Sequence, residues 1–171
     1  LGIKNYLRMK YISYYDYKKI EKIIKKNKVS EIYFFAGQTK PSVSNHFFLE
    51  TLYSNVIPVY NIIDIILKIN KKIRFYNSSS CEIFKDSKLP LNEKSLKNPV
   101  SIYGLSKLIS FEMVKFFRKK YKLKICSGIM FHHESILRGK EFVLRKIISG
   151  AKKIKLKQQK YLFLGNINVS K

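Results

Sequence analysis

Glu31-Ile-Tyr-Phe-Phe-Ala36, closed by Gly37, is the stretch on which the fold turns. One charge at its start is followed by apolar residues only. Such a near-continuous run is the pattern of a strand buried on both faces in a parallel sheet. Upstream, Tyr17 to Lys28 reads as an amphipathic helix with Lys on the solvent side and Ile20, Ile23 and Ile24 on the other. Asp16 is placed to cap it, and Lys10 to Tyr14 reads as a preceding strand. Downstream, Leu49 to Asn70 has helical period with Pro58 as a kink, and Lys72 to Asn77 is a strand running into a Ser78-Ser79-Ser80 turn. Ser101 to Lys122 follows as a helix, Lys124 to Phe131 as a strand, Phe142 to Lys153 as a helix and Tyr161 to Leu164 as a last strand. Strands alternating with helices predict parallel crossover units, an α/β Rossmann-like doubly wound parallel sheet. Ligands of such sheets bind beyond the carboxyl ends of the strands. The segments predicted to bear a site are therefore Ala36 to Ser44, Ser78 to Phe84 and Phe131 to Gly139.

Composition narrows the class. The chain has 171 residues, 46% of them hydrophobic, which excludes a disordered polybasic tail and predicts one domain with a buried core. Apolar stretches such as Ile57 to Leu67 are too short or too interrupted to span a bilayer, and the start has no signal-peptide layout, so a cytoplasmic protein with no membrane partner is expected. Cys81 and Cys126 match no metal-ligand spacing and read as two reduced thiols. The formal charge of +24 suits polyanion binding. The excess is overwhelmingly Lys and spread along the whole chain, whereas a face that reads bases or phosphates favours the planar fork of Arg, so no nucleic-acid partner is expected.

Tyr103 and Lys107 stand four apart on a predicted helix and share a face. An ammonium beside a phenol lowers its pKa, so the tyrosinate can act as a base near neutral pH. The same spacing recurs at Tyr6/Lys10, Tyr14/Lys18 and Tyr15/Lys19, so the pair alone is weak; its context is Ser80 and Glu82 at the end of the preceding strand. Taken singly, Ser78 to Ser80 is a polar turn, Glu82 a surface acid, Tyr103/Lys107 an exposed helix pair and Cys81 a small filler. The adjacent His132 and His133 lack a Cys or acid at ligand spacing, a poor set for a metal, and none is expected.

Ser80 at a strand end followed by Tyr103-x-x-x-Lys107 resembles the extended short-chain dehydrogenase/reductases, the nucleotide-sugar epimerases and dehydratases. Arg74-Phe-Tyr-Asn-Ser-Ser-Ser-Cys-Glu-Ile-Phe84, Ser101-Ile-Tyr-Gly-Leu-Ser-Lys107 and Gly128-Ile-Met-Phe-His-His-Glu-Ser-Ile-Leu-Arg-Gly139 look like the GDP-mannose 4,6-dehydratase family in particular. Glu141 to Ile147, Leu164-Gly-Asn166, Glu31 to Thr39 and Val43-Ser44 continue the likeness in the same order. Within this class the dehydratases, unlike the epimerases, carry an acid two residues after the Ser or Thr, as Glu82 follows Ser80.

The resemblance implies that Ser80, Glu82, Tyr103 and Lys107 are catalytic. It implies that Phe35, Ala36, Gly37, Gln38, Thr39, Lys107, His133 and Arg138 hold NADP, and that Ser44, His132, Arg145 and Lys146 lie toward the nucleotide sugar, GDP-mannose or a relative. A homo-oligomer is implied for a full-length member. Other activities of the same family, an epimerase or a reductase, and a non-catalytic basic α/β fragment that binds polyanions are the alternatives. The sequence departs from the family at Ser13, where an acid meets the adenine, and at Lys40, Lys85, Ile102 and His132. It also shows no Gly-rich phosphate loop and ends before most of the substrate domain, so it reads as an internal fragment, inactive by itself.

Overall fold

Three parallel strands joined by helices carry the chain in a computed structural model that describes residues 13–39, 47–84, 90–136, 139 and 142–165. It forms two compact units, Leu1–Met130 and Phe131–Lys171. In the first, Ser13 accepts from the Asp16 amide at 3.1 Å, and Asp16 in turn caps helix α1 (Tyr17–Lys26) by accepting from the Lys19 amide at 2.9 Å. Ser13 and Tyr14 thus belong to the turn entering a helix, not to the strand predicted over Lys10 to Tyr14; the start of that stretch lies outside the described residues.

Strand β1 (Glu31–Phe34) leads to helix α2 (Phe48–Ile69), which delivers the chain to β2 (Arg74–Ser80). Helix α3 (Ile102–Tyr121), capped by Ser101 accepting from the Gly104 amide at 3.0 Å, returns it to β3 (Ile125–Met130). The order is β1-β2-β3, with Phe34 opposite Asn77 and Asn77 opposite Ser127. One face of the sheet closes on α2 and α3 through Phe34, Phe75 and Ile125 against Val59, Ile62, Ile63, Ile66 and Val114. Helix α2 is long and apolar enough to cross a membrane by length and composition, yet this face of it is the core of the unit.

Three expectations are corrected. β1 stops at Phe34 and is not buried on both faces: Tyr33 is 64% exposed and Phe35 57%, stacked about Tyr76 at 6.1 and 5.6 Å on the side that α2 and α3 do not cover. β2 runs on through Ser80, because Ser78, Ser79 and Ser80 pair with Gly128, Ile129 and Met130. These serines are strand, not turn. Pro58 lies inside α2 as expected; by lacking an N–H it frees the Ser54 carbonyl, which faces the loop after β1. In the second unit helix α4 (Val143–Lys155) forms as expected, but Tyr161 to Leu164 is not a strand. There Leu162 packs on Gly150 of α4, and no described strand offers that stretch a ladder.

Candidate active site at the carboxyl end of the sheet

The last residues of β2 are buried although polar, and the chain leaves them by a single tight 3-10 turn over Cys81–Ile83. Ser80 holds that turn by accepting from the Glu82 amide at 3.2 Å, which sets Glu82, half-buried, directly over the strand end. Helix α3 begins against the same turn. A Cβ on Gly104 would run into the Glu82 carbonyl oxygen, so only glycine lets the first turn of the helix approach this closely. The approach carries Tyr103 into a buried position beside the turn, and Lys107 follows on the same face, 4% exposed. The Lys107 ammonium donates to the Ser78 carbonyl at 3.0 Å and lies 5.9 Å from the centre of the Tyr103 ring. Burial without a carboxylate partner pulls its pKa down to about 8. Ser80 from β2, Glu82 from the turn after it, and Tyr103 and Lys107 from the start of α3 are therefore brought to the same strand end.

The loop after β1 is tied to that place from behind. Gly37 takes a φ of +126°, open to glycine and strained for any L side chain. The Gln38 amide donates to Ser54 Oγ and the Gln38 carbonyl accepts from Asn55 Nδ2, both at 3.2 Å. Asn55 also donates to Ser106 Oγ at 3.0 Å, and Ser106 lies between Tyr103 and Lys107. Reading the sequence alone misses Ser54, Asn55 and Ser106. The available signal is a set of small polar residues on the inward faces of two helices, where apolar residues are the rule.

Comparison with known proteins follows the same lines. The family model described as GDP-mannose 4,6 dehydratase matches residues 2–171. The chain belongs to this family. It is 34% identical over 165 residues to the GDP-mannose 4,6 dehydratase of Drosophila melanogaster, covering 95% of this chain and 42% of that protein. With GDP-mannose 4,6 dehydratase 2 of Caenorhabditis elegans the identity is 34% over 150 residues, 86% of this chain and 39% of the other. The chain thus spans about two fifths of these curated relatives. The fold matches that of the RMD protein of Pseudomonas aeruginosa, solved with NADPH, at a TM-score of 0.76 and 18% identity, over 89% of this chain and 52% of that one. It also matches dTDP-glucose 4,6-dehydratase of Bacillus anthracis, solved with NAD, at 0.73 and 19%, over 83% and 43%.

The donors left open at this strand end suit one end of a dinucleotide. An ammonium has three donors, and Lys107 commits one to Ser78, which leaves N–H groups for a sugar diol. In the next loop Gly37 packs its backbone against Asn55 and Ser54, and around it Phe35 and Thr39 are exposed while Ala36 and Gln38 are half-buried. In the second unit, His132 and His133 are both exposed, and His133 Nδ1 donates to the Phe131 carbonyl at 2.8 Å. Arg145 and Lys146 lie on the first turn of α4. Ser44 and Arg138 fall outside the described residues.

Proposed function

We propose that the polypeptide carrying this chain is a nucleotide-sugar 4,6-dehydratase that uses NADP in the cytoplasm and converts GDP-mannose to its 4-keto-6-deoxy product. The observation that carries the reading is the convergence of an acid, Glu82, with Ser80, Tyr103 and Lys107 at one strand end. A nicotinamide dinucleotide, when bound, supplies the oxidation and re-reduction of the sugar. Tyr103 Oη, as the tyrosinate, takes the proton of the sugar 4-hydroxyl. Ser80 Oγ hydrogen-bonds that hydroxyl and fixes its orientation. Once C4 is a ketone, the C5 proton is acidic; the Glu82 carboxylate removes it and hands it to the C6 hydroxyl, which departs as water, and the proton held by Tyr103 returns to C5 when C6 is re-reduced. Lys107 holds the ribose diol next to Tyr103. A 4-epimerase inverts C4 without touching C5, so Glu82 is the residue that separates the two chemistries.

The complete polypeptide, incubated with GDP-mannose and NADP, is expected to release a sugar nucleotide that has lost one water and gained a carbonyl, read by mass spectrometry. Glu82→Gln is expected to lower that rate by about 10²–10⁴-fold, the range for a positioned base, with the fold intact. Absence of product from the complete wild-type protein overturns the reading. A Glu82→Gln variant as active as the wild type removes the acid from the mechanism.

A further inference from the structure

We propose that Asn55 is a positioning residue that fastens the 36–39 loop to the helix bearing Tyr103 and Lys107, so that both sides of the site move as one body. Only the word "site" rests on the proposed function; the fastening is a matter of geometry. Asn55 is 1% exposed on α2. Its Nδ2 spends both hydrogens, one on the Gln38 carbonyl and one on Ser106 Oγ. The Ser106 hydroxyl then donates to the Tyr103 carbonyl at 2.7 Å. A continuous run of hydrogen bonds thus joins the loop backbone to the helix backbone through one side chain. The amide orientation is fixed by its neighbours: the Gln38 carbonyl only accepts, and Ser106 has already given its proton away.

The other end of the amide shows what this arrangement sacrifices. Asn55 Oδ1 is buried with no hydrogen-bond partner, pressed where a side chain on Gly37 would begin. An orphaned buried acceptor is unfavourable, and a residue chosen for stability alone would not leave one. Asp has no N–H for the Gln38 carbonyl, Leu has no polar atom, and Gln is one methylene too long for a slot bounded by Gly37 and Ser106. The geometry therefore selects Asn for the connection it makes.

The test is backbone amide hydrogen exchange of the polypeptide carrying this chain, without cofactor or turnover, so its outcome is independent of the dehydratase assay. Asn55→Ala, Ser106→Ala, the double variant and Thr51→Val are compared; Thr51 lies one turn before Asn55, fully buried, with an unpartnered hydroxyl. Ser106→Ala alters only α3, yet it is expected to speed exchange of the Gln38 amide several-fold across Asn55, and Asn55→Ala to speed it about tenfold. The double variant is expected to match Asn55→Ala alone, since one connection cannot be broken twice. Thr51→Val is expected to leave Gln38 unchanged. Wild-type exchange at Gln38 in Ser106→Ala overturns the proposal, as do additive effects in the double variant or a rise spread evenly over β2 and β3. If Asn55→Ala does not fold, the Ser106→Ala result alone decides.

Discussion

The two ends of one core differ in chemistry though not in burial. At the amino end of the strands Phe75, Ile125, Val59, Ile63, Ile66 and Val114 are 0–2% exposed, and every one is apolar. At the carboxyl end Thr51, Ser54, Asn55, Asn77, Ser106, Lys107 and Ser110 are 0–4% exposed, and every one is polar. The change occurs within single elements. α2 passes from Thr51 and Asn55 to Ile63 and Ile66, α3 from Lys107 and Ser110 to Val114, and β2 from Phe75 to Ser80. Burial of apolar surface stabilises, while burial of polar groups at best breaks even and costs where a partner is lacking. One end therefore supplies the free energy that holds the other in a shape stability alone would not select.

Truncation at the apolar end has the largest expected effect on stability. Ile63→Ala removes a side chain with no exposure between helix and sheet, and a loss of about 3–5 kcal/mol is expected from the urea midpoint. A loss under about 1 kcal/mol would mean that this end does not support the unit.

Lys107 sharpens the contrast through pH. Its folded pKa of about 8 lies below the ordinary 10.5, so between those values the unfolded chain binds a proton that the folded chain has released. Stability should therefore rise with pH from about 8 to 10.5, by an amount on the order of 3 kcal/mol, and the buried charge should weigh against folding in full below pH 8. Lys107→Met, measured from pH 7 to 10.5, is expected to flatten that rise. A wild-type curve without it would mean that the ammonium is better solvated than its burial indicates.

Much of the apolar end is legible in the sequence, because its signals are local. Asp16 caps the helix it precedes, the period over Leu49 to Asn70 gives α2 within a residue at each end, and the run from Glu31 gives β1. What the run does not disclose is which face is covered, and so Tyr33 and Phe35 stand exposed where burial was expected. At the polar end the signals are distant. Ser78 to Ser80 is strand only because Gly128 to Met130 lies beside it, and Asn55 acquires its role from Gln38 and Ser106, 17 and 51 residues away. Tyr103, Lys107, Ser80 and Glu82 were picked out as a set by the family resemblance, their spacing alone being weak; the close approach of the first turn of α3 to the Glu82 turn, through Gly104, was not.

That approach can be tested by itself. Gly104→Ala places a methyl against the Glu82 carbonyl oxygen, held in its 3-10 turn, and against the Pro99 ring. Overpacking of this kind costs about 1–3 kcal/mol. Because the displaced backbone is that of Glu82, product formation by the complete polypeptide should fall further than the folded fraction does. Equal losses would mean that Gly104 serves packing alone.

The smallest expected effect is opposite in sign. Thr51 sits fully buried on the inward face of α2 with an Oγ1 that has no partner. Valine has the same shape and carries a methyl where the hydroxyl was, so Thr51→Val removes an unsatisfied polar atom without opening a cavity. The folded state should gain about 1 kcal/mol, and the thermal midpoint should rise by a few degrees. The substitution makes the polar end resemble the apolar one at a position that touches neither the 36–39 loop nor Lys107 in the described network, so activity should be untouched. A fall in stability would show that the hydroxyl is satisfied in solution by buried water. The polar end would then be a hydrated seam, and its contrast with the apolar end would lie in water held as much as in side chains chosen.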